Sequence, residues 1–529
     1  MLKLFSRILR KGLVQGTVMN HNQIDAPVIG RIVGMPVLAR EFALVEDLQK
    51  PLAAGVTWRR RRFTFRVTDD AAEGGDRPEA LCINEITLDS GSEADICPVL
   101  AADYPHLVHF PEIENAYWAT TLAKGALRSG ADTRESRLFV EMSPLLYRHD
   151  GRDTRDTLIH LAQVEKSGRR PAEHDERLAA LQPRLVELGD EKFGVARYLA
   201  AFPPSRLVQS SENILAATNA GYFLNFPEEY DDGVSALHLP VGGHMTSGRL
   251  AMPPWIARPG IMGFSDAAPT SGMFGPEDME LCIEGLPPVP LRIGAKGGSA
   301  QGAVWRTFDA AEVPAPDGAT QVSFCGSLPT RIEPAHPGCK APLGGATVLL
   351  EGEHARAALS RDGIRRISIR LKATSHGTPV WLISAGPFLV RGGKVAPEGA
   401  MLTPDFAGEF HPGGPPPTRF PYDVETTRAP RTAFGTLPSG GLKIVIVDGR
   451  RSGEHSCGVT LGGLAGLMQW VGCDSAVNLD GGGSSVLAVE GATAAEALLE
   501  NGPLGVVNIP SDQNGTERIV PVLLIVKGR

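Results

Sequence analysis

One stretch of the sequence combines residue types that can bind an anion beside a carboxylate. In SAVNLDGGGSSVL, a short apolar run precedes a polar cluster made of Asn478, Asp480, Gly481, Gly482, Gly483, Ser484 and Ser485. A strand holds the side chains at its end with little freedom. Glycines permit positive φ angles and bring N–H groups close to a ligand, and serines add hydroxyl donors. Taken alone, the segment is more simply a tight turn capped by Asp480.

Four other short motifs accompany this segment in a fixed order. The five are Asn219-Ala-Gly-Tyr-Phe223, Ser384-Ala-Gly-Pro387, Pro430-Arg-Thr-Ala-Phe-Gly435, Asn478 to Ser485, and Val507-Asn-Ile-Pro-Ser-Asp512 followed by Glu517-Arg518. Together they resemble the phosphodiester glycosidase family. The resemblance covers approximately residues 206–529. It departs from the family pattern at Ala220, where a second glycine is commoner, and at Val486, where threonine is frequent.

The resemblance implies a site for a sugar 1-phosphodiester. Arg431 is the first candidate for the phosphate, because a guanidinium offers paired donors to two phosphate oxygens, and Arg518 is the second. An ion pair between Arg431 and Asp480 or Asp448 is the structural alternative.

Asp480 is the candidate carboxylate, either as the base that activates water or as the group that stabilises an oxocarbenium-like transition state. Phosphate is a good leaving group, so a second carboxylic acid is dispensable. Asn219 completes the predicted catalytic set, although it and Asn478 are equally suited to capping turns. Asp512 either holds Arg518 or is itself a catalytic partner. The predicted substrate-binding residues are Asn478, Gly481, Gly482, Gly483, Ser484, Ser485, Thr432, Asp512 and Arg518.

The segment from Asp448 to Cys457 lies between a predicted strand and a predicted helix, where functional loops are common. Glu454 and His455 are possible proton-transfer groups, but a solvated loop is the better interpretation for both. A thiolate–imidazole pair between Cys457 and His455 does not follow from their adjacency in sequence.

The elements that must position these residues are mostly strands. Short apolar runs bounded by Gly, Pro, Asn and Asp predict strands at 214–218, 380–383, 442–447 and 520–526. An apolar stripe after Thr460 predicts a helix that ends near Gly472. We therefore predict an α+β fold with a strand-rich mixed sheet and few helices.

We predict a separate N-terminal α/β-type domain at residues 1–205 and a catalytic domain at residues 206–529. The N-terminal part includes a strand at 58–67 whose run Arg59 to Arg62 is typical of a solvated edge, and a helical pair at 173–202. The Gly- and Pro-rich stretch at about 240–345 is predicted to be an insertion or a rim.

Composition limits the class of ligand. The 529 residues carry a formal net charge of −8, which argues against nucleic-acid binding by bulk electrostatics and favours a small ligand. No signal peptide or membrane span is recognised, so we expect a cytoplasmic protein. The seven cysteines are scattered and predict free thiols; the grouping of Cys325, His336 and Cys339 is a weak zinc candidate. No cofactor is required, a divalent metal is possible, and the oligomeric state is not indicated.

The sequence thus favours a hydrolase that cleaves a sugar 1-phosphodiester or a related glycoside. One alternative is an intracellular biosynthetic enzyme of the same fold that acts on another phosphorylated or glycosylated substrate. The other is a scaffold that binds carbohydrate or phosphate without turnover. Convergence of Asp480, Arg431 and Asn219 in one place would favour an enzyme over a scaffold.

Overall fold

A computed structural model provides the architecture of the chain. It describes residues 25–68, 76–104, 107, 201–210, 213–223, 240–294, 301–306, 313–336, 341, 345–360, 363–397, 401, 403–409, 425–499, 502–512 and 515–529. The predicted helical pair at 173–202 falls almost entirely outside this part, and Cys339 of the zinc candidate also lies outside it.

Helices are few and short in the described residues. They are α1 (Ala26–Val33), α2 (Pro204–Ser210), α3 (Gly352–Ala358), α4 (Gly363–Arg366), α5 (Pro404–Ala407) and α6 (Leu461–Trp470), with 3₁₀ turns at Ala39–Glu41, Ala101–Asp103, Pro276–Asp278 and Gly482–Ser484. Helix α6 is the one predicted after Thr460. The Thr460 side chain accepts a hydrogen bond from the Gly463 N–H and so caps its first turn.

Strands are the most abundant regular elements in the described residues. They are β1 (Ala43–Ala53), β2 (Val56–Val67), β3 (Arg77–Leu88), β4 (Ala94–Leu100), β5 (Ile214–Asn219), β6 (Tyr222–Phe223), β7 (Pro240–Val241), β8 (His244–Thr246), β9 (Arg249–Met252), β10 (Arg258–Phe264), β11 (Thr270–Phe274), β12 (Met279–Ile283), β13 (Val289–Pro290), β14 (Arg292–Ile293), β15 (Ala303–Arg306), β16 (Thr320–Cys325), β17 (Leu328–Pro334), β18 (Gly345–Leu350), β19 (Ile367–Leu371), β20 (Pro379–Ser384), β21 (Phe388–Arg391), β22 (Lys394–Val395), β23 (Arg431–Thr436), β24 (Leu442–Val447), β25 (Ser475–Asn478), β26 (Leu487–Val489) and β27 (Val522–Gly528). The four predicted C-terminal strands correspond to β5, β20, β24 and β27, and the strand-rich α+β fold is confirmed.

The largest sheet has the order β1-β2-β3-β24-β23-β25-β21-β22, and a four-stranded sheet has the order β26-β5-β27-β4. Strand β3 pairs with β24 over six residues, and β4 pairs with β27 over seven. The predicted boundary at residue 205 is therefore wrong as a division between sheets. The reason is that N-terminal strands complete sheets whose other strands come from the C-terminal part, a pairing that local patterns cannot reveal.

The arginine run on β2 is not a solvated edge. Strand β2 lies between β1 and β3, and Arg60 and Arg61 are buried. They tolerate burial because each has a carboxylate: Arg60 binds Glu46, and Arg61 pairs with Glu85. A buried charge is stable only with such a partner.

The Gly- and Pro-rich stretch is built from strands in its described residues. It supplies most of a five-stranded sheet β11-β10-β20-β8-β9, parts of a three-stranded sheet β13-β12-β19, and the sheet β14-β15-β18-β16-β17. Strand β20 pairs with β10 and β8 and so ties this region to the C-terminal part.

One face of the large sheet is covered by α1 and α6, whose apolar side chains pack together. None of the helices in the described ranges is both long and apolar enough to cross a membrane.

Candidate functional site

The ends of three strands bring polar motifs from distant parts of the sequence together. Strand β5 ends at Asn219, β23 begins at Arg431 and β25 ends at Asn478, just before Asp480. The Asn219 Nδ2 group donates to the Asp480 carbonyl at 2.6 Å, and the Thr432 hydroxyl donates to Asn219 Oδ1 at 2.9 Å. Three motifs that are far apart in sequence thus converge on one turn.

Asp480 is the carboxylate at the centre of this arrangement. Its Oδ1 accepts a hydrogen bond from the Gly481 N–H at 2.9 Å. Burial raises the pKa of the Asp480 carboxyl to about 6, although the Ser484 hydroxyl, the Arg518 charge and the Gly481 N–H lower it. A carboxyl with a pKa near neutral can accept and release a proton at physiological pH.

Three arginine side chains lie next to the three consecutive glycines. A Cβ at Gly481 would lie 3.8 Å from Arg431 Cδ, and one at Gly482 would lie 3.1 Å from Arg450 Nη2. A Cβ at Gly483 would collide with Arg518 Nη2 and Asp512 Oδ1. A side chain at 483 would therefore have to displace the ends of Arg518 and Asp512, and at 482 glycine suits the φ of +61°. We call residues 481–483 with these three arginines the triglycine site.

Arg431 lies at the buried side of the triglycine site. It is only 4% exposed, and it donates to the carbonyls of Val459 and Thr427 at 3.2 and 2.9 Å. Burial lowers the pKa of Arg431 to about 10, which still leaves it charged at neutral pH. These two backbone carbonyls help to fix the position of its guanidinium group.

Arg518 is held by Asp512. Two guanidinium nitrogens donate to the two carboxylate oxygens, each at 2.9 Å, and Nη1 lies 3.5 Å from Ser484 Oγ. This is the ion pair considered from the sequence, and its bidentate geometry fixes the guanidinium plane.

The two asparagines are buried beneath the site. Asn219 and Asn478 are each 1% exposed. Asn478 Nδ2 donates to the Tyr222 hydroxyl and to the Gly386 carbonyl, and Tyr222 also donates to Gly386 at 3.0 Å. Both asparagines thus use their amide N–H groups within the protein, although the buried Asn478 Oδ1 has no hydrogen-bond partner in the described part of the chain. The N–H geometry suits positioning of the turn better than donation to a sugar.

The Asp448 to Cys457 segment differs in part from the expected solvated loop. Glu454 is exposed, but His455 is buried and its Nε2 lies 2.6 Å from Asp448 Oδ2. Asp448 also accepts from Asn508 Nδ2 at 2.9 Å and from the Ile509 N–H at 3.0 Å. The interpretation of His455 as solvent-exposed is wrong, because its partner is a buried aspartate seven residues earlier. This pair anchors the loop.

The cysteines near this loop do not have the character of nucleophiles. Burial raises the pKa of the Cys457 thiol to about 12, and burial together with the Asp448 charge raises the pKa of Cys82. Among the described residues, Cys82, Asp448 and His455 place potential metal-ligating atoms within 4.8 Å of one another. Asp448 already accepts hydrogen bonds from three groups, which explains the cluster without a metal.

Sequence reasoning missed Arg450. Its side chain is exposed, its φ is +62°, and its Nη1 lies 3.3 Å from Ser511 Oγ. In the sequence it is one of two adjacent arginines after Asp448-Gly449, and nothing distinguishes it from Arg451. The only available signal was the position of this loop between a strand and a helix.

Comparison with known proteins agrees with the motifs. Residues 342–527 match the phosphodiester glycosidase family. The resemblance expected from the five motifs is thereby confirmed for this part of the chain. No curated protein matches the sequence.

Three solved structures align with most of the chain at low similarity. A hypothetical protein from Synechocystis is 14% identical, with a TM-score of 0.42 over 90% of this chain and 62% of its own; the chain thus spans less than two thirds of that protein. A protein from Burkholderia pseudomallei K96243 is 16% identical, with a TM-score of 0.47 over 93% and 98%. The zebrafish N-acetylglucosamine-1-phosphodiester alpha-N-acetylglucosaminidase catalytic domain, auto-inhibited by its pro-peptide, is 13% identical, with a TM-score of 0.35 over 92% and 89%.

Proposed function

We propose that this protein is a hydrolase that cleaves the bond between the anomeric carbon of a sugar and the phosphate of a phosphodiester. The observation that carries the proposal is the Asp480 carboxyl, whose pKa burial raises to about 6 and which adjoins a glycine turn contacted by three arginine side chains. A carboxylate for water and cations for phosphate are the two features that this reaction needs. The family match at residues 342–527 supports a hydrolase of this class.

In the proposed mechanism, Asp480 accepts a proton from a water molecule as the water oxygen attacks the anomeric carbon. The bond between that carbon and the phosphate oxygen breaks, and its electron pair leaves with the oxygen. The products are a free sugar and a phosphomonoester. Arg431 stabilises the charge that develops on the leaving phosphate. The proton on Asp480 then returns to solvent, which a pKa of about 6 allows.

The other residues predicted from the sequence have supporting roles in this proposal. Asn219 donates to the Asp480 carbonyl, Thr432 donates to Asn219, and Asn478 donates to Tyr222. Asp512 orients Arg518. The hydroxyl of Ser484 hydrogen-bonds Asp480, and that of Ser485 bonds Thr432. A cytoplasmic location and a dispensable metal stay predictions.

The test is release of phosphomonoester from a panel of sugar 1-phosphodiesters by the wild type and by Asp480→Asn. We expect Asp480→Asn to lower kcat by roughly 10²–10⁴-fold, the usual contribution of a general base, while the fold is retained. In the wild type, kcat/KM should rise with pH through about 6 as Asp480 ionises. The matched control is Asp317→Asn, which changes an exposed aspartate in the turn before β16 and should leave turnover intact.

An EDTA-treated sample tests the metal, since unchanged turnover is expected if the arginines supply the electrostatic stabilisation alone. Full activity of Asp480→Asn would contradict the mechanism. If the wild type turned over none of the substrates, the alternatives of a biosynthetic enzyme or a binding scaffold would replace it.

A further inference from the structure

We propose that Arg450 binds the phosphate on the open side of the triglycine site and thereby selects phosphodiesters over neutral glycosides. The inference rests on the proposed function, and it names a specificity-determining residue for it. Three observations carry it: the position of Arg450, its lack of a carboxylate partner, and the backbone conformation of its loop.

The position of Arg450 places its charge directly over the turn. Its Nη2 would lie 3.1 Å from a Cβ at Gly482, so the absence of that atom creates the space that the guanidinium occupies. The Arg450 charge also lowers the pKa of Arg431. Both side chains adjoin the same turn, Arg431 at Gly481 and Arg450 at Gly482.

The partners of Arg450 differ from those of the other two arginines. Arg518 is paired with Asp512 through two hydrogen bonds, and Arg431 is 4% exposed. Within the described ranges, Arg450 forms no ion pair, and its one hydrogen bond is to the Ser511 hydroxyl at 3.3 Å. An exposed guanidinium with so weak a partner can exchange it for a phosphate oxygen at little cost.

The loop holds Arg450 in a conformation that its residue type disfavours. A φ of +62° costs a non-glycine residue on the order of 1 kcal/mol. The conformation is maintained by the Asp448–His455 pair and by hydrogen bonds from the N–H groups of His455 and Ser456 to the Arg451 carbonyl at 3.0 and 3.1 Å. Asparagine and glycine adopt a positive φ more readily than arginine. The backbone conformation therefore does not explain arginine at this position, and we attribute it to a role of the side chain.

The charges of the site favour a ligand with one negative charge. Arg518 is offset by Asp512, whereas Arg450 forms no ion pair within the described residues, so its positive charge is in excess at the open side of the site. A phosphodiester carries one negative charge and would neutralise that excess. A neutral glycoside would leave it uncompensated.

The first test measures binding of dimethyl phosphate and of inorganic phosphate to the full-length protein by isothermal titration calorimetry. Arg450→Gly removes the guanidinium while favouring the positive φ, so the protein should keep or gain thermal stability. We expect affinity for dimethyl phosphate to fall by roughly tenfold to a hundredfold, as for a lost charged hydrogen bond. Arg450→Lys should give an intermediate affinity.

The matched control is Arg370→Gln, which removes an equally charged but exposed side chain from β19. It should leave both affinities unchanged. Arg450→Asn serves as a second neutral variant, because asparagine also tolerates the left-handed region. Equal binding by the wild type and both neutral variants, or no binding by the wild type, would overturn the proposal.

A second readout separates this inference from the proposed hydrolysis. We expect Arg450→Gly to lower kcat/KM for a sugar 1-phosphodiester about tenfold or more, while kcat/KM for the p-nitrophenyl glycoside of the same sugar stays the same. Loss on both substrates would assign Arg450 a general structural role and overturn the selectivity. Phosphate binding that depends on Arg450 without any turnover would instead reject the hydrolysis and keep the anion site.

Discussion

Two groups of arginines in this protein differ in how their charges are compensated. The first group lies on β2 and faces carboxylates from β1 and β3. Arg59 binds Asp47 through two hydrogen bonds of 2.7 Å. Arg60 and Arg62 share Glu46, and Arg61 pairs with Glu85. Every cation of this run therefore has a carboxylate partner inside the fold.

The second group is the triglycine site. Arg431 is held by backbone carbonyls, Arg518 by Asp512, and Arg450 by one hydroxyl. Within the described residues, Arg450 therefore carries a positive charge that no carboxylate partner offsets. On β2, carboxylates from the neighbouring strands neutralise the arginines, which therefore have a structural role. At the triglycine site, glycines take the place of neighbouring side chains, and the arginines are suited to binding an anionic ligand.

The largest expected effect tests the structural half of this comparison. Glu85→Gln would leave the buried Arg61 and Lys443 without their carboxylate. We expect the free energy of unfolding to fall by about 3–5 kcal/mol, because each loses a charged partner in the interior. Urea denaturation measures it.

The control for Glu85→Gln is Asp95→Asn, which removes an exposed pair with Arg529 and should cost under about 1 kcal/mol. A similar small loss for Glu85→Gln would mean that the β2 arginines do not depend on their carboxylates, and the comparison would fail.

The second effect concerns the triglycine site itself. Gly483→Ala would drive a methyl group into the Asp512–Arg518 pair, and the pair must then move. We expect kcat/KM for a sugar 1-phosphodiester to fall about a hundredfold, as for a displacement of about 1 Å in an active site. Gly466→Ala in α6, where a Cβ has open space, should leave kcat/KM unchanged. If Gly483→Ala had the same kcat/KM as the wild type, the Asp512–Arg518 pair would be able to move without loss of activity.

A smaller effect links the site to stability and pH. The Asp480 pKa is raised to about 6, so the folded protein keeps this proton up to about pH 6, whereas the unfolded chain releases it near pH 4. Stability is therefore lost as pH rises from about 4 to 6. Asp480→Asn should be more stable than the wild type by about 2–3 kcal/mol at pH 7 and equally stable at pH 4. Thermal denaturation of both proteins at pH 4 and pH 7 measures the difference in stability. The same difference at both pH values would show that ionisation of Asp480 does not cause it.

The smallest effect isolates Arg450. Gly482→Ala and Gly491→Ala both place alanine at a φ near +60°, but a Cβ at 491 has open space, while one at 482 lies beside Arg450. Both should lose about 1 kcal/mol of unfolding free energy from the backbone conformation. Only Gly482→Ala should also raise KM for a phosphodiester, by displacing the flexible end of Arg450. Equal KM values for the two variants would place Arg450 away from the substrate.

The arginine run shows why part of the fold escaped prediction. The strand at 58–67 was predicted correctly within two residues of β2, since its apolar alternation is local. Its place in the sheet depends on Glu46 and Glu85, which approach only when β1 and β3 pair with it. A run of charges looks solvated until those partners are known.

The same limit applies to the N-terminal boundary and to His455. Strands β3 and β4 join sheets with β24 and β27, more than 300 residues later, and no spacing in the sequence encodes that pairing. His455 is buried because Asp448 turns inward toward Asn508 and Ile509. Both outcomes depend on long-range packing.

By itself, the sequence determined the order of the five motifs, the strand before Asp480, and the helix after Thr460. These features depend on residues within a few positions of one another, where apolar spacing, glycine and capping chemistry act. The tertiary structure alone decided which arginines are neutralised and which remain in excess, and that Arg450 stands over Gly482. The physical reason is that charge compensation depends on distance in space, which only the folded chain sets.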